Sequence, residues 1–264
     1  MRARVWERGR TLLAGAVMSS RDREQPPAPA LAQELAGLTS EDRAIVERAL
    51  PYTMTGVPRL RALIDAVRHL ERRGVAGAFA ECGVWRGGSV VAMIETLRDL
   101  GAPPRDIWLY DTFEGMTEPT EEDVSAFEPP ALATWRDATA RGERPWAELF
   151  GTEMFSEESV RSTLAATGYP TEHLHLVRGP VEETLPAHLP EGPLGLLRLD
   201  TDWYESTRHE LAHLYPRLAS GGVLIIDDYG HFEGARRAVD EYFAEHEPVL
   251  LTRIDYTGRL AVKP

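Results

Sequence analysis

The stretch Ala78-Phe-Ala-Glu-Cys-Gly-Val-Trp-Arg-Gly-Gly-Ser89 decides the fold. It starts as a short apolar run, passes through a glycine-rich turn and continues into a helical pattern. Gly83 lets a ligand approach the backbone, and the Gly87-Gly88 pair allows a tight entry into the helix. This order of strand, turn and helix predicts the ligand-binding end of an α/β sheet, although an ordinary turn with a solvated Glu81 has the same appearance.

Short apolar runs alternate with helical patterns after this stretch. Strands are predicted at residues 78–82, 107–110, 174–177, 194–199 and 223–226, and helices at residues 89–100, 157–167, 205–218 and 234–245. The alternation predicts a doubly wound, mostly parallel α/β sheet. Two last strands, at residues 249–253 and 259–262, are joined by a short turn and should therefore run antiparallel.

The part of the chain before the sheet is predicted to be helical. A helical stretch at residues 31–50 is broken near Gly37, and Thr39 with Ser40 supplies an N-cap for its second half. Apolar residues recur with a 3.6-residue period over residues 57–73. Residues 26–264 therefore form one domain whose N-terminal part, residues 30–75, is helical.

Two segments depart from this regular pattern. Residues 112–152 lack a clear period and are long for a connection, which predicts a lid or binding loop; Trp135 and Trp146 lie in it and suit either a stacked acceptor or the lid's own core. Residues 1–25 carry six arginines against three acidic residues. We interpret them as an arm that is either mobile or docked on a second subunit, and on that basis expect a homodimer.

Composition limits the partners of this chain. It has 264 residues, 29 Lys and Arg against 42 Asp and Glu, and a formal net charge of −13. Such a charge argues against nucleic acid and against an anionic membrane surface as partners. No apolar run has the length of a membrane span or a signal peptide. The single cysteine, Cys82, permits no intrachain disulfide and fits a cytoplasmic location.

The first candidate ligand site lies at the ends of the first two strands. Glu81 can meet a ligand ammonium, and Asp111, at the end of the second strand, suits ribose hydroxyls, although a helix cap is the common alternative for Asp111. The helix after the glycines contains no lysine, since Lys263 is the only one in the chain, which disfavours a phosphate-binding loop. A ligand with ribose, ammonium and carboxylate but no phosphate is S-adenosylmethionine (SAM).

The second candidate site is a set of aspartates after two neighbouring strands. Asp200 and Asp202 follow one strand, and Asp227 and Asp228 follow the next. Asp200, Asp227 and Asp228 should converge at the carboxyl edge of the sheet, where Mg²⁺ would offset their mutual repulsion. Asp202 could then act as general base toward a hydroxyl, or only bond substrate or SAM. Helix capping would explain one such aspartate more easily than four.

Several segments together resemble the macrocin O-methyltransferase family, SAM- and Mg²⁺-dependent enzymes that methylate sugars in antibiotic biosynthesis. The segments that carry the resemblance are residues 52–55 (YTMT), 81–89 (ECGVWRGGS), 110–116 (YDTFEGM), 178–179 (RG), 182–186 (EETLP), 199–207 (LDTDWYEST) and 227–229 (DDY). They extend over most of the chain in a fixed order. Position 112 is Thr where many members would have Ser.

The resemblance implies the fold of class I SAM-dependent methyltransferases and a set of site residues. The residues expected to contact SAM are Thr53, Met54, Glu81, Cys82, Gly83, Val84, Trp85, Asp111, Thr112, Phe113, Glu114, Gly115, Glu182, Asp200, Thr201 and Asp202. The resemblance also implies that Asp200, Asp227 and Asp228 bind Mg²⁺ and that Asp202 is the catalytic base.

The function predicted from the sequence is SAM- and Mg²⁺-dependent O-methylation of a sugar hydroxyl on a glycosylated natural product. Two alternatives use the same residues: an Mg²⁺-dependent phosphate-ester hydrolase and a non-catalytic SAM-binding protein. The hydrolase gives no role to the Glu81 turn, and the binding protein gives none to the aspartates. The acceptor and the position of its hydroxyl are left open.

Overall fold

The structure is a computed structural model that describes residues 29–151, 155–185 and 187–264. The predicted N-terminal arm, residues 1–25, lies outside these residues, as do position 152 of the predicted lid and position 186. No helix of the described part is both long and apolar enough to cross a membrane.

Three helices precede the sheet: α1 (Pro29–Ala36), α2 (Ser40–Ala49) and α3 (Val57–Arg73). The Thr39 side chain accepts a hydrogen bond from the Asp42 backbone N–H and so caps α2. Helix α3 ends at Gly74, whose φ of 65° is the left-handed conformation that terminates many helices. These elements agree with the helices predicted at residues 31–50 and 57–73.

Strands and helices alternate through the rest of the described chain. In order they are β1 (Ala78–Cys82), α4 (Gly88–Asp99), β2 (Ile107–Asp111), α5 (Ala131–Ala140), α6 (Glu157–Ala165), β3 (Leu174–Arg178), α7 (Val181–Thr184), β4 (Leu194–Leu199), α8 (Tyr204–His213), β5 (Leu218–Ile226), α9 (Glu233–Glu245), β6 (Thr252–Arg253) and β7 (Arg259–Val262).

One sheet contains the seven strands of the described residues, in the order β3-β2-β1-β4-β5-β7-β6. Strands β1 to β5 pair in parallel, whereas β7 pairs antiparallel with both β5 and β6. This confirms the predicted doubly wound sheet with antiparallel strands at its end, the arrangement of class I methyltransferases. Strands β2 and β3 lie on one side of β1, and the following strands lie on its other side, beginning with β4. Ligands of α/β sheets bind at such a point, here between β1 and β4.

Two apolar layers cover the faces of the sheet. One contains Phe79 and Leu196 together with side chains of α2, α3, α4 and α6, and the other contains Ala80 and Leu197 together with side chains of α7, α8 and α9. Successive residues of β1 and β4 therefore alternate between the layers, as the geometry of a strand requires. The carboxyl ends of β1, β4 and β5 lie side by side, with Cys82 opposite Leu199 and Leu199 opposite Ile226.

Three predicted elements differ from the structure. The helix predicted at residues 205–218 ends at His213, because Pro216 lies in a short 3₁₀ turn that leads into β5. The strand predicted at residues 249–253 is reduced to Thr252–Arg253. The segment predicted to be irregular contains α5, ten residues long.

Candidate active site

The turn after β1 is pressed against the end of β4. Gly83 has a φ of 81°, and a Cβ atom there would lie 1.9 Å from the Asp200 carbonyl oxygen. The Asp200 backbone N–H donates to the Cys82 carbonyl at 2.9 Å. A glycine is therefore required at position 83, and it places the predicted cofactor turn directly beside the predicted metal ligands.

A buried arginine that the sequence analysis did not single out links these two sites. Arg198, in β4, is 2% exposed and donates to Glu81 and, at 2.7 Å each, to Asp200 and Asp227. A second arginine, Arg59 of α3, also pairs with Asp227. We call Arg59, Arg198, Glu81 and Asp227 the arginine cluster. The sequence signals this cluster only through Arg198, a charged residue within an otherwise apolar strand. Such a side chain is buried with the strand and needs a buried partner of opposite charge.

The two carboxylate oxygens of Glu81 differ in their surroundings. Its Oε1 accepts from Arg198, while the buried Oε2 has no hydrogen-bond partner of normal geometry among the described residues. Burial raises the pKa of Glu81 to about 7, although Arg198 and the Ser89 side chain act in the opposite direction. A buried carboxylate oxygen without a partner is costly, so a cationic donor such as an ammonium fits this position.

Three carboxylates gather without an arginine between them. One ligand oxygen from each of Asp200, Asp202 and Asp228 can be chosen so that all three lie within 4.8 Å of one another. We call them the carboxylate triad. Burial and the neighbouring carboxylates raise the pKa of Asp202 well above its usual range, and burial and Asp200 raise that of Asp228. The triad therefore favours either a bound proton or a cation.

The triad differs from the metal site predicted from the sequence. Asp227 was expected beside Asp200 and Asp228, but its Oδ1 accepts from Arg198 and its Oδ2 from Arg59. Asp202 takes the third place in the triad, with a φ of 70° that non-glycine residues rarely adopt. The structure thus brings Asp200, Asp202 and Asp228 together and pairs Asp227 with two arginines, and the prediction that Asp227 binds Mg²⁺ stays a prediction.

Asp111 joins two loops of the predicted cofactor site. Its Oδ2 accepts from the Val84 and Trp85 backbone N–H groups at 2.7 and 3.0 Å, and its Oδ1 accepts from Phe113 at 2.7 Å. Burial raises the pKa of Asp111, while these three donors lower it. The contact with ribose expected for Asp111 stays a prediction, because much of its accepting capacity is used within the protein.

A cleft of about 500 Å³ opens beside the second predicted cofactor segment. Thr112, Glu114 and Gly115 line it together with Trp135. Glu114 is exposed at the cleft and pairs with Arg178. The cleft is therefore accessible to a ligand that also reaches the end of β2.

The other predicted cofactor residues surround the same edge. Thr53 packs against the start of α4, where a Cβ on Gly88 would lie 2.6 Å from the Thr53 Cβ, and Met54 follows it. Cys82 is fully buried, and burial raises its pKa, so it does not suit a nucleophile. Thr201 donates to the buried Glu210 at 2.8 Å. Burial raises the pKa of the partly buried Glu182.

Hydrogen bonds attach the predicted lid to this site. Trp85 donates from Nε1 to the Leu149 carbonyl, and Trp203 donates from Nε1 to the Thr117 carbonyl, both at 3.0 Å. Asp123, 1% exposed, accepts from the first backbone N–H of α8 at 2.7 Å. Trp146 packs with Trp203 in an apolar cluster of the lid. Nothing in the local sequence pattern marks Asp123 as an anchor, so sequence reasoning missed it.

Comparison with known proteins gives consistent matches. The model of the family described as Macrocin-O-methyltransferase (TylF) matches residues 38–261. A Streptomyces olivaceus protein named 8-demethyl-8-(2,3-dimethoxy-alpha-L-rhamnosyl)-tetracenomycin-C 4'-O-methyltransferase is 35% identical over 213 residues, 80% of this chain and 75% of that protein. Mycinamicin III 3''-O-methyltransferase of Micromonospora griseorubida is 32% identical over 81% of this chain and 82% of that protein.

Among solved structures, that of the O-methyltransferase NovP covers 100% of this chain and 99% of its own, with a TM-score of 0.71 and 27% identity. The likeness thus extends over the N-terminal helices, the sheet and the lid together.

Proposed function

The chain belongs to the macrocin O-methyltransferase family and is an O-methyltransferase, and from this premise we propose that it methylates a sugar hydroxyl of a glycosylated small molecule. In this proposal SAM is the methyl donor and Mg²⁺ is required. The relatives' names describe methylation of antibiotic-related glycosides, which supports this acceptor class. Membership of this family favours neither the hydrolase nor the non-catalytic alternative.

One observation carries the proposal: a carboxylate triad, in which only Asp200 contacts an arginine among the described residues, lies beside a buried glutamate whose Oε2 has no hydrogen-bond partner there. Arg198 touches both Glu81 and Asp200, so the two features belong to one site. The first suits a divalent cation, and the second suits the ammonium of an amino-acid-like ligand. A methyl donor with an amino-acid end needs the glutamate, and a hydroxyl activated by a metal ion needs the triad.

The residues around Glu81 fit SAM. When bound, SAM supplies an electrophilic methyl group on a sulfonium. Glu81 would hold the ammonium through Oε2, Gly83 lets the turn after β1 pack directly against the Asp200 backbone, and Glu114 lines the cleft at the end of β2. These residues orient the donor and add no chemistry of their own.

The triad fits Mg²⁺ through the chemistry of its donors. Three carboxylates offer the hard oxygen ligands that this ion prefers, and the repulsion between them disappears when a divalent cation is present. When bound, Mg²⁺ compensates this charge and increases the acidity of a nearby hydroxyl. Asp200 and Asp228 would hold the ion from adjacent strands, and Asp227 pairs with Arg198 and Arg59.

Asp202 is the general base in this mechanism. It would accept the proton of the acceptor hydroxyl, and SAM, when bound, would supply the methyl group to that oxygen. Burial, together with the neighbouring Asp228 and Asp200, raises the pKa of Asp202 well above its usual range in the metal-free protein. The left-handed backbone at Asp202 directs the chain out of β4 and into α8.

The experiment that tests this function uses isotopically labelled SAM. The purified protein is incubated with a panel of glycosylated natural products, with Mg²⁺ or with EDTA, and labelled products are identified by mass spectrometry. We expect label on a sugar oxygen with Mg²⁺ and its loss with EDTA. Labelling that persists in EDTA would contradict the metal requirement, and label confined to an aglycone would contradict the sugar acceptor.

We also propose a cytoplasmic homodimer. The single cysteine supports the location, and the arginine-rich residues 1–25 support a second subunit on a chain of net charge −13. Light scattering on the full-length protein measures the oligomeric state directly, and a monomer at micromolar concentration would contradict it.

A further inference from the structure

The first part of the predicted lid contacts the starts of the two helices that follow the carboxylate triad. The backbone N–H of Tyr204, the first residue of α8, donates to Asp123 Oδ1 at 2.7 Å. The backbone N–H of Glu233, the first residue of α9, donates to the Val124 carbonyl at 2.9 Å. Two consecutive lid residues therefore each bond an N–H group that a helix start leaves without an intrahelical partner.

Asp123 lies at the centre of this contact. Its side chain is buried, and its Oδ2 accepts from the backbone N–H and the hydroxyl of Thr120 at 2.7 and 2.9 Å. A Cβ on Gly234, in α9, would lie 2.2 Å from Asp123 Oδ1 and 3.1 Å from the Tyr204 Cβ. The carboxylate is thus enclosed between the N-terminal ends of α8 and α9, where a negative charge is favoured.

Both helices begin shortly after carboxylates of the triad. Asp202 lies two positions before Tyr204 and has a φ of 70°, a backbone conformation that persists only where the surrounding structure holds it. Asp228 leads into α9 through a turn in which its carbonyl accepts from the Phe232 backbone N–H at 3.1 Å. A shift of either helix start therefore moves one carboxylate of the triad relative to the other.

A buried tryptophan reinforces the same connection. Trp203 follows Asp202 in the chain and donates from Nε1 to the Thr117 carbonyl of the lid at 3.0 Å. Its ring lies edge-on to that of Phe232, with 5.1 Å between the ring centroids. The residue before α8 thus packs on the residue before α9, and the lid bonds to both helix starts.

We propose that Asp123 is a positioning residue that holds Asp202 and Asp228 at a fixed distance from each other. Through Asp228 it sets the affinity for Mg²⁺, and through Asp202 it sets the orientation of the proposed base. This inference rests on the proposed function. Mg²⁺ demands nearly ideal octahedral geometry, so a small displacement of one ligand weakens its binding. Residues that orient metal ligands typically change metal affinity by about 10- to 100-fold when they are replaced.

An ordinary helix cap would have a different effect. Thr39 caps α2 by accepting from the Asp42 backbone N–H at 3.1 Å, in a helix that contributes no residue to the triad. Removing either Thr39 or Asp123 leaves a backbone N–H at a helix start without its partner and should lower the Tm. Only the removal of Asp123 should also weaken metal binding.

The test compares Asp123→Ala, Asp123→Asn and Thr39→Ala as full-length proteins. Calorimetric titrations measure the Kd of Mg²⁺ in the presence of S-adenosylhomocysteine and, separately, the Kd of SAM. Asp123→Ala should raise the Kd of Mg²⁺ by roughly tenfold or more and lower kcat with an accepted glycoside at saturating Mg²⁺, while the Kd of SAM stays unchanged. Thr39→Ala is the matched control and should keep all three wild-type values.

The asparagine variant is the conservative member of the series. Asp123→Asn keeps a side-chain oxygen for the Tyr204 N–H but has a donor group in place of the second acceptor for Thr120, so it should recover part of the lost Mg²⁺ affinity. Circular dichroism shows whether each variant is folded. If Asp123→Ala is not folded, the Kd of Mg²⁺ for Asp123→Asn decides the test and should still exceed that of Thr39→Ala.

The outcomes separate this inference from the proposed function. If the wild-type protein methylates glycosides and the folded Asp123 variants keep its Kd for Mg²⁺, Asp123 is only a cap and the function stands. If Asp123→Ala weakens Mg²⁺ binding but the wild-type protein methylates no glycoside, the function is wrong and the effect of Asp123 on the triad stands. Equal weakening by Thr39→Ala, or a wild-type protein that binds no Mg²⁺, would overturn the inference.

Discussion

The arginine cluster and the carboxylate triad lie at the same edge of the sheet and differ in the source of their positive charge. In the cluster, Arg198 and Arg59 neutralise Glu81 and Asp227 within the protein, at side-chain exposures of 15% or less. In the triad, Asp200, Asp202 and Asp228 face each other, and only Asp200 touches an arginine.

This difference distinguishes carboxylates that are neutralised within the protein from carboxylates that need a proton or a bound cation. Asp227, whose two oxygens accept from Arg198 and Arg59, is satisfied within the protein, whereas Glu81 contacts Arg198 through one oxygen only. A carboxylate whose nearest charged groups are other carboxylates is satisfied only by a proton or an external cation. Asp200 belongs to both groups through Arg198, so the orientation of the triad depends on the cluster.

The largest expected effect concerns the proposed base in the triad. Asp202→Asn keeps the size of the side chain and removes its ability to accept a proton. We expect kcat to fall by roughly 10²- to 10⁴-fold, the usual contribution of a general base. Calorimetric titration with SAM should show nearly unchanged affinity. Asp65→Asn, at an exposed aspartate far from the sheet edge, is the control, and normal turnover by Asp202→Asn would remove it as the base.

The next effect concerns the arginine cluster. Arg198→Met leaves Glu81, Asp200 and Asp227 without their buried partner, and we expect the free energy of unfolding to fall by about 3–5 kcal/mol. Urea denaturation measures this loss. Arg208→Met removes an exposed ion pair with Glu205 and should cost less than about 1 kcal/mol. Equal effects of the two substitutions would mean that the cluster has no structural role.

Divalent metal should stabilise the protein through the triad. At an Mg²⁺ concentration of 100 times its Kd, binding to the folded state adds about 2.7 kcal/mol to the free energy of unfolding. Thermal melts at increasing Mg²⁺ concentration should show a rising Tm in the wild-type protein and a much smaller rise in Asp228→Asn. A Tm independent of Mg²⁺ in the wild-type protein would show that the triad is not filled by this ion.

The smallest effect is a pH dependence of the metal-free protein. Burial and Asp200 raise the pKa of Asp228 to about 6 from an ordinary value of 3.8, so the folded state binds this proton more tightly than the unfolded state. The resulting stability is present below pH 3.8 and is lost as the pH rises through 6.

In EDTA, Asp228→Asn should therefore exceed the wild-type protein in stability at pH 8 by an amount on the order of 1 kcal/mol, and match it at low pH. With Mg²⁺ the order at pH 8 should reverse. Urea denaturation at both pH values measures this, and an asparagine variant that is less stable than wild type in EDTA at pH 8 would contradict the raised pKa.

Much of the fold could be predicted because its signals are local. The apolar runs of β1, β4 and β5 and the period of α3 identify these elements without tertiary information. Helix α5 was missed because only Ala131 and Ala138, seven residues apart, are buried, so it has almost no apolar stripe. The short β6 was overextended because an exposed edge strand lacks a clear boundary in sequence.

The position of the site could be predicted from the sequence, but the hydrogen-bond and ion-pair partners of its aspartates could not. Neighbouring strand ends bring Asp200 and Asp228 together in any parallel sheet, and these two carboxylates lie close to each other in the structure. One partner of Asp227 is Arg59, which lies in a helix 168 residues earlier in the chain. The local sequence therefore does not reveal this pairing. Likewise, the three backbone donors to Asp111 come from two loops whose contact is a tertiary property.

The most direct test of the account is a crystal structure of the protein with Mn²⁺ and S-adenosylhomocysteine, measured at a wavelength where manganese scatters anomalously. We expect an anomalous peak within coordination distance of carboxylate oxygens of Asp200 and Asp228, and the amino group of the ligand at Glu81. An anomalous map without a peak at the triad, or an ion bound only away from these strands, would contradict it.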